Sequence, residues 1–312
     1  MMTVNAMLQL ARRKAVYLPA FAGVILFGHR SDAALQDVRT VFLIVMENKN
    51  WSQIVSNSSA PFINNVLLSQ ASYANQYFNP PHLHPSLPNY LWLEAGTNFG
   101  VRADVLPKKA HQSTHAHFVA LLEQAGISWT DYHEGICGCE CPLVRYKGSG
   151  PITIPMAYFD DVTDTNDLHS AYCMAHIRPL SELAGNLQSN TVARYNLITA
   201  KKCGSMHSPC APLHDRIKQG DDWLAEIVPA IQNSQAYQDT GAIIITWDEG
   251  WKKSDGPIPL IVLSPLAKGG GFSNSIHYTH SSTLRTLEEI FGVTPLLGDA
   301  VNATDLSDLF SP

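Results

Sequence analysis

Four short apolar segments constrain the fold of this chain more than any other feature of its sequence. Each is rich in β-branched residues and is almost uninterrupted by polar ones; they are Val41–Met46, Tyr195–Thr199, Ala242–Trp247 and 258–264. Strands buried on both faces of a parallel sheet have this nearly continuous apolar character, whereas strands with one solvent-exposed face alternate apolar and polar residues. The segments therefore predict central strands of a sheet that is covered on both sides.

Helical patterns separate these segments. They begin near Pro61, at Ala116, at Asp221 and at Ser281, and glycines follow two of them. Alternating strands and helices predict an α/β fold, here a three-layer α/β/α sandwich with a largely parallel central sheet. We expect one domain over 35–312. The less regular segment of about 100–190 holds four of the six cysteines, and we expect it to be a disulfide-bearing insertion over the sheet edge.

The first 34 residues differ from the rest of the chain. Arg12, Arg13 and Lys14 precede an apolar run over 15–27, and small residues follow at Ala33 and Ala34. A basic segment, a short apolar segment and a small-residue cleavage site are typical of a secretory signal peptide. We therefore expect 1–34 to be removed and the mature protein to be periplasmic or secreted. The alternative is that 1–34 is not cleaved and anchors the protein in the membrane.

Charge limits the partners of the mature chain. The whole chain has a net charge of −6, and loss of 1–34 removes four basic residues and one acidic residue, which lowers the charge to −9. An acidic protein is a poor partner for nucleic acid or anionic lipid. No later stretch is apolar enough to cross a bilayer, so we expect no nucleic-acid partner and no stable membrane insertion after signal cleavage.

The six cysteines all follow the signal segment. Their even number in an exported chain favours disulfides, although six cysteines permit fifteen pairings. Cys203 and Cys210 are close enough in sequence to close one loop. The cluster Cys137, Cys139 and Cys141 leaves a zinc site open as an alternative, but its spacing is unlike the usual two-residue gap.

Polar residues follow two of the predicted strands at the point where each strand ends. They are Glu47 and Asn48 after the first, and Asp248 and Glu249 after the third. Ligands of such sheets bind at the carboxyl ends of the strands, and carboxylates this close repel one another unless a cation lies between them. Oxygen ligands suit Mg²⁺, Mn²⁺ or Ca²⁺ better than zinc. The pattern predicts one divalent metal ion, with solvated loop charges as the plain alternative.

Ser86 lies at the predicted start of a helix that Gly96 would end. Serine is a good N-cap, and a purely capping function is the plain interpretation. The amino end of a helix also has free N–H groups that suit a phosphate. A metal ion nearby would lower the pKa of the hydroxyl and make Ser86 a nucleophile.

Two histidines are candidates for binding phosphate or for protonating a leaving group. His207 lies between Cys203 and Cys210, and His280 comes just before the last predicted helix. An isolated histidine is more often structural or simply exposed, so both assignments depend on whether the fold places these rings near Ser86.

The sequence resembles the bacterial phosphoesterase family that includes acid phosphatases and phospholipases C, within the alkaline-phosphatase-like superfamily. The blocks that carry the resemblance are VFLIVMENKNW at 41–51, HPSLPNYLWLEAG at 84–96, GDDWL at 220–224 with AIIITWDEG at 242–250, and HYTHSSTLRTLEEIFG at 277–292. It implies an alkaline-phosphatase-like phosphoesterase domain, a nucleophile at Ser86, a metal held by the four strand-end residues, and a place for His280 in the pocket.

The chain departs from the family pattern in two places. The family's Asp-Met-His-Asp between paired cysteines is replaced by a segment with Ser205 and Ser208 in place of the acids, although Met206 and His207 match. The family's Lys-His-Asn-Pro segment has Thr153 at the place of its histidine. Neither change removes the nucleophile or a metal ligand.

The sequence therefore predicts an exported, metal-dependent hydrolase of phosphoric esters that acts through a phosphoserine. Its partner would be a small phosphate ester or a phospholipid head group. A phospholipase C-type phosphodiesterase is the nearest alternative, because the family contains both. A second alternative is an exported, non-catalytic protein that retains the fold and binds phosphate esters. Sulfate-ester hydrolysis is disfavoured by the Leu87-Pro88 sequence after Ser86.

Overall fold

The computed structural model describes residues 35–145 and 150–312. The predicted signal peptide lies outside these residues. The strands are β1 (Val41–Met46), β2 (Ser72–Phe78), β3 (Trp129–His133), β4 (Ile177–Pro179), β5 (Tyr195–Thr199), β6 (Ala242–Trp247), β7 (Ile258–Leu263), β8 (Phe272–Asn274) and β9 (Tyr278–Thr279). The four apolar segments of the sequence form β1, β5, β6 and β7, as predicted.

The strands form one sheet in the order β4-β3-β5-β1-β6-β7-β2-β8, with β9 also paired to β2. Among the described strands β7 alone runs antiparallel to its neighbours, which are β6 and β2. The prediction of a largely parallel central sheet is confirmed. Because β7 returns after a short connection from β6, it needs no crossover helix and can run in the opposite direction.

The central strands are buried along their whole length. Every residue of β1, β6 and β7 is buried, which requires cover on both faces of the sheet, because successive side chains point to opposite faces. Helices provide that cover and confirm the predicted α/β/α layers. This burial explains why the strands read as continuous apolar runs in the sequence.

The helices of the described residues vary from one turn to seventeen residues. They are α1 (Trp51–Ile54), α2 (Leu68–Gln70), α3 (Ser86–Ala95), α4 (Pro107–Ala110), α5 (Phe118–Gln124), α6 (Asp160–Thr163), α7 (Ala171–His176), α8 (Leu183–Ser189), α9 (Arg216–Gln232), α10 (Gln235–Gln238) and α11 (His280–Phe291). A π-helical turn, Ile63–Leu67, precedes α2. No helix in this part of the chain is long and apolar enough to cross a membrane.

The segment of about 100–190 differs from the expected insertion. It contributes β3 and β4 to the sheet itself, with β3 pairing in parallel with β5, so it extends the sheet edge rather than only covering it. The apolar-run criterion missed β3 because its sequence, WTDYH, is interrupted by polar residues and buries Asp131.

Three disulfides join the six cysteines. Cys137–Cys139 and Cys141–Cys173 lie in the segment of about 100–190, and Cys203–Cys210 closes the loop after β5. All six cysteines form disulfides, so the structure shows no thiolate at 137–141 that could bind zinc.

Helix α3 ends where the sequence predicts. Gly96 follows it with φ at 65°, the left-handed conformation that glycine adopts without strain. A Cβ atom at this position would lie 2.4 Å from the carbonyl oxygen of Leu297, so the close approach of the chain segments also requires glycine. This junction holds the end of α3 against the segment that follows α11, and the two helices also pack against each other.

Candidate active site

The carboxyl ends of β1 and β6 meet at one edge of the sheet. The two strands are parallel neighbours, and Met46 pairs with Trp247 at their last residues. The polar residues that follow leave the sheet side by side; they are Glu47, Asn48, Asp248 and Glu249. The fold thus brings together the four residues that the sequence suggested as metal ligands.

Asn48 connects the two strand ends. Its backbone N–H donates to Asp248 Oδ1 at 2.9 Å, and its side-chain Nδ2 donates to Glu249 Oε1 at 2.6 Å. Asn48 adopts a left-handed backbone conformation with φ at 51°, which asparagine tolerates better than most residues do. The turn after β1 is therefore held in one geometry by hydrogen bonds to both acids.

Burial and like charges raise the pKa values of three carboxyl groups at this edge. Burial, followed by the charges of Asp248 and Asp104, raises the pKa of Glu47 well above its usual range. Burial and the charge of Glu249 raise the pKa of Asp248 to about 8. Burial and the charge of Asp104 raise the pKa of Glu249 to about 7. A bound cation would stabilise the ionised forms of all three.

The donor atoms fit a hard divalent cation. Asp248 Oδ2 and Asn48 Oδ1 are buried without a hydrogen-bond partner, and an orphaned buried acceptor is unfavourable. Carboxylate and amide oxygens are the donors that Mg²⁺, Mn²⁺ and Ca²⁺ prefer. The side chains do not form a preassembled cage: within 35–145 and 150–312, no group of three or more His, Cys, Asp or Glu side chains is arranged to hold a metal ion.

His84 also contacts this cluster. Its Nδ1 contacts Glu249 Oε2, and its Nε2 lies 3.0 Å from Asp255 Oδ1. Both oxygens of Glu249 therefore already have protein partners, Asn48 and His84. His84 precedes Ser86 by two residues, so this contact links the segment of the candidate nucleophile to the acidic cluster. His84 is not among the site residues predicted from the sequence, although it is the first residue of one of the four family blocks.

Ser86 is the first residue of α3, and Pro85 occupies the N-cap position. The structure thus corrects the interpretation of Ser86 as a capping residue. Its side chain is 5% exposed and lines a pocket, and it interacts with the Asp248 carboxylate, which opposes the rise in the pKa of that group. The next backbone N–H, from Leu87, donates to Asp104 Oδ1 at 3.0 Å.

The pocket at this edge has a volume of about 80 Å³. Its lining includes two acidic side chains and five basic or imidazole-bearing ones. The lining residues are Glu47, Ser86, Asp104, His133, Arg145, Gly150, Ile152, Thr153, Ala200, Lys201, Lys202 and His207. A pocket that combines a hydroxyl, carboxylates and cationic side chains suits a small phosphoric ester.

His207 lies where the sequence analysis expected it, in the loop closed by Cys203 and Cys210 at the pocket. Its Nε2 is 3.7 Å from Glu47 Oε2, and its Nδ1 is 2.9 Å from Ser208 Oγ. Burial, and then the positive charge of Lys202, lower the pKa of His207.

His280 lies outside the pocket, contrary to expectation. It is fully buried at the start of α11. Its Nε2 lies 2.7 Å from the main-chain oxygen of Asp248, and its Nδ1 lies 2.9 Å from the hydroxyl of Tyr77. Burial lowers the pKa of His280 to about 4. Both ring nitrogens are thus engaged behind the acidic cluster, and the ring cannot reach a leaving group.

Three further residues of this edge were missed by sequence reasoning. Asp104 lines the pocket, and its charge acts on both Glu47 and Glu249. Lys202 also lines the pocket, and its positive charge opposes the rise in the pKa of Glu47. Lys49 is buried behind the strand ends, and burial followed by the charge of Arg216 lowers its pKa to about 8. Only Lys49 had a visible signal, because it directly follows the predicted ligands.

Comparison with known proteins agrees with this fold. The Phosphoesterase family profile matches residues 55–294. A phosphatidylinositol-3-phosphatase of Mycobacterium tuberculosis is 26% identical over 281 residues, which are 89% of this chain and 85% of the relative. A probable acid phosphatase of Kluyveromyces lactis is 25% identical over 231 residues, 70% of this chain. This chain spans only 49% of that yeast protein.

A solved structure shows the same fold. An alkaline phosphatase superfamily protein of Vibrio parahaemolyticus superposes with a TM-score of 0.60 at 11% identity, covering 88% of this chain and 73% of the other. The fold and the family match define a hydrolase of phosphoric esters with an alkaline-phosphatase-like architecture. The chain belongs to the Phosphoesterase family.

Proposed function

We propose that this chain is an exported, metal-dependent phosphomonoesterase of the acid phosphatase type that acts through a phosphoserine at Ser86. The observation that carries the proposal is the position of Ser86. Its hydroxyl lies in the pocket, next to Asp248, with Glu47 and His207 in the same lining. A nucleophile, oxygen ligands and a proton donor for the leaving group are the parts that phosphoryl transfer through a covalent intermediate requires.

The metal ion would be held by oxygens of Glu47, Asn48, Asp248 and Glu249. Mg²⁺, Mn²⁺ or Ca²⁺ suits this donor set better than zinc. When bound, such an ion lowers the pKa of a neighbouring hydroxyl and neutralises phosphoryl charge. The two orphaned oxygens at Asp248 and Asn48 and the raised carboxyl pKa values support this assignment.

The proposed reaction proceeds in two steps. In the first step, the hydroxyl proton of Ser86 passes to the Asp248 carboxylate, with which the hydroxyl interacts, and Ser86 Oγ forms a bond to phosphorus, while the bond from phosphorus to the ester oxygen breaks. His207, having taken up a proton from solvent, gives its Nε2 proton to the departing oxygen. In the second step, a water molecule gives a proton to His207 and attacks phosphorus, the bond to Ser86 Oγ breaks, and Asp248 returns the proton to that oxygen. The same imidazole thus serves as acid and then as base.

His280 acts through Asp248 and not on the substrate. Its contact with the Asp248 carbonyl oxygen holds the strand end in place, and the Tyr77 hydroxyl fixes the ring from the other side. His280 is therefore a positioning residue in this proposal. Such outer contacts of ligand-bearing residues commonly affect activity by about ten- to a hundredfold.

The substrate class follows from the pocket and from the relatives. A small pocket with cationic side chains suits the phosphate group of a soluble ester or of a phospholipid head group. The mycobacterial relative is named for a phosphorylated lipid head group and the yeast relative for acid phosphatase activity. Both names describe hydrolysis of phosphomonoesters, which favours this class over a phospholipase C-type phosphodiesterase.

A non-catalytic binding protein is the second candidate. It is favoured by the departures at Ser205, whose buried Oγ has no partner, and at Thr153. However, Thr153 Oγ1 lies 2.8 Å from Nε2 of His133, which lines the pocket from the end of β3. The pocket therefore has an imidazole next to the position where the family has its histidine, which weighs against loss of catalysis.

Export is part of the proposal. The three disulfides are compatible with an oxidising compartment, and the amino-terminal sequence predicts a signal peptide. The mature protein from cells that secrete it should begin near Ala34 or Leu35, as measured by amino-terminal sequencing. A protein that retains 1–34 in the mature form would contradict this part of the proposal.

A substrate panel tests the function as a whole. The purified protein is treated with a chelator and dialysed, and chromogenic phosphomonoesters, phosphodiesters and phosphocholine esters are then assayed with and without Mg²⁺, Mn²⁺ or Ca²⁺. We expect turnover of monoesters that depends on an added ion. Faster turnover of the diesters or phosphocholine esters would favour the phospholipase C type. Tight phosphate binding without turnover of any ester would favour the binding protein.

A further inference from the structure

Lys49 is a buried lysine directly behind the acidic strand ends. Its side chain is 1% exposed and does not line the pocket. The ammonium donates to two main-chain oxygens, those of Asn48 and Met206, at 2.9 Å each. It also lies 4.8 Å from the ring centroid of Trp251. A buried ammonium is unfavourable unless it is well hydrogen-bonded, so these contacts account for how the chain accommodates it.

Both oxygens belong to residues in the left-handed backbone conformation. The φ angle is 51° at Asn48 and 71° at Met206. This conformation is unfavourable for a residue other than glycine, and it persists where surrounding contacts hold it. One ammonium is bonded to the carbonyl groups of both residues. Lys49 therefore ties together two turns that would each relax more easily alone.

These two turns carry different parts of the candidate site. The turn of Asn48 follows β1 and bears Glu47, whereas Met206 directly precedes His207. A second link joins the same turns, because the backbone N–H of Glu47 donates to the oxygen of Ser205 at 2.8 Å. The contacts of Lys49 and Glu47 together set the position of the His207 loop relative to the acidic cluster.

The side chain of Met206 is also held in place, by packing against α9. This side chain is fully buried and packs against Gly220 in α9. A Cβ atom at Gly220 would lie only 2.2 Å from Met206 Cγ, so the glycine is needed for this packing. The His207 loop is thus held between α9, through the Met206 side chain, and the strand end, through the Met206 carbonyl and Lys49.

We propose that Lys49 is a positioning residue that sets the His207 loop against the Asn48 turn by binding both of their carbonyl groups. The expected effect of Lys49 on catalysis rests on the proposed function. The expected effect of Lys49 on the position of the His207 loop does not. Its distinguishing feature is the choice of partners: the hydrogen bonds of Lys49 go to main-chain carbonyls and not to the carboxylates. A charge that only neutralised the acidic cluster would be bonded to the acids.

The test compares two variants that disturb the same loop in different ways. Lys49→Met removes the ammonium and retains most of the side-chain volume. Gly220→Ala leaves every charge in place and displaces Met206 from the opposite side. Lys109→Met, at an exposed lysine in α4, is the matched control. Each variant is assayed for kcat and KM on p-nitrophenyl phosphate, for Mn²⁺ affinity by electron paramagnetic resonance, and for melting temperature.

We expect Lys49→Met and Gly220→Ala each to lower kcat by about tenfold or more, with KM changed far less, because outer contacts of this kind have effects of that size. Lys49→Met should also weaken Mn²⁺ binding, because it releases the Asn48 turn, whereas Gly220→Ala should not. The control should match the wild type in all three measurements. Loss of kcat in Lys49→Met with wild-type kcat in Gly220→Ala would overturn the proposal and make Lys49 an electrostatic residue.

A measurement that needs no turnover separates this inference from the proposed function. The imidazole signal of His207, assigned in nitrogen-15 NMR spectra with a His207→Gln variant, reports the position of the loop directly. We expect it to shift in Lys49→Met and in Gly220→Ala but not in Lys109→Met. An unshifted signal in a folded Lys49→Met protein would overturn the inference even if the wild type is an active phosphatase. If Lys49→Met does not fold, Lys49→Gln, which retains a hydrogen-bond donor but shortens the side chain, decides by the same signal, and an unshifted signal there would overturn the inference.

Discussion

His280 Nε2 lies 2.7 Å from the main-chain oxygen of Asp248, and this contact joins the first residue of α11 to the end of β6. The sequence placed His280 in the pocket because the family resemblance implied it. Instead, the ring supports the backbone of Asp248, whose carboxylate interacts with the pocket residue Ser86. The amino end of α11 thus contributes to the site through the position of Asp248 and not through a group that touches substrate.

The first prediction concerns this contact. Replacing His280 with Gln should lower kcat/KM by about tenfold, because loss of a buried hydrogen-bonding partner changes free energy by about 1–3 kcal/mol. His277→Gln is the matched control: His277 is exposed in the same segment and stacks on Phe78 at 4.8 Å. Steady-state kinetics and melting temperatures of both variants provide the measurement. Equal activity of the two variants would show that His280 does not position Asp248.

The second prediction concerns the metal ion. Asp248→Asn removes one anionic ligand, so activity should fall by orders of magnitude while the fold survives. Added Mg²⁺ or Mn²⁺ should raise the melting temperature of the wild type clearly more than that of the variant, because only the wild type has the complete ligand set. Asp239→Asn, at an exposed carboxylate outside the pocket, should behave as the wild type. Full wild-type activity after exhaustive chelation would contradict the metal assignment.

The third prediction concerns pH. The pKa of Asp248 is raised to about 8 and that of Glu249 to about 7 when no cation is present. In the unfolded chain these groups ionise near pH 4. The folded protein therefore binds more protons than the unfolded one between these limits, and the free energy of unfolding should decrease as pH rises through this window.

Differential scanning calorimetry in the presence of chelator checks this trend. We expect the melting temperature to fall from about pH 5 to pH 8, since both the acidic cluster and buried Glu288, whose pKa burial raises to about 8, lose protons there. Asp248→Asn and added divalent ions should each flatten the curve, because each reduces the repulsion within the cluster. A slope that neither of them changes would locate the pH dependence elsewhere in the protein.

Much of this site could be read from the sequence, because strand ends in a parallel sheet meet at one edge. The apolar runs located β1 and β6, and the residues after them had to be neighbours once these strands paired. The direction in which each side chain points could not be predicted in the same way. Nothing in the sequence distinguishes the buried ring of His280 from the pocket ring of His207. Asp104 reaches the pocket from a loop whose path depends on the whole fold.

The irregular half of the sheet was equally hard to predict. β3 contains a buried aspartate, Asp131, and β4 is three residues long, so neither produces a continuous apolar run. β3 pairs with β5 and β4 pairs with β3, and both pairings are long-range contacts. A criterion based on local hydrophobicity therefore assigned this segment to an insertion, although it forms the edge of the sheet.

The fourth prediction compares two disulfides. Closing a short loop restricts the unfolded chain less than closing a long one, so loss of Cys203–Cys210 should destabilise by about 2.5 kcal/mol and loss of Cys141–Cys173 by about 4 kcal/mol. The order of activity should be reversed, because His207 lies in the loop of Cys203–Cys210. Double serine variants, assayed for melting temperature and kcat, provide the measurement. Activity losses that simply follow the stability losses would contradict a positioning role for this bridge.

The last prediction concerns the central claim, that Ser86 is the nucleophile. Because Pro85 and not Ser86 occupies the N-cap position, Ser86→Ala should change the melting temperature little, whereas loss of a true N-cap would destabilise by about 1 kcal/mol. The variant should lose turnover and still bind inorganic phosphate, since the cationic lining of the pocket is retained. Ser113→Ala, at a serine outside the pocket lining, is the control.

The most direct measurement is a search for the covalent intermediate. The wild-type enzyme is mixed with a chromogenic phosphomonoester, quenched in acid within the first turnover and digested, and its peptides are examined by mass spectrometry. The account predicts a phosphate on the peptide that contains Ser86, absent from the Ser86→Ala variant. Phosphate on a different residue, or steady turnover by Ser86→Ala, would contradict it.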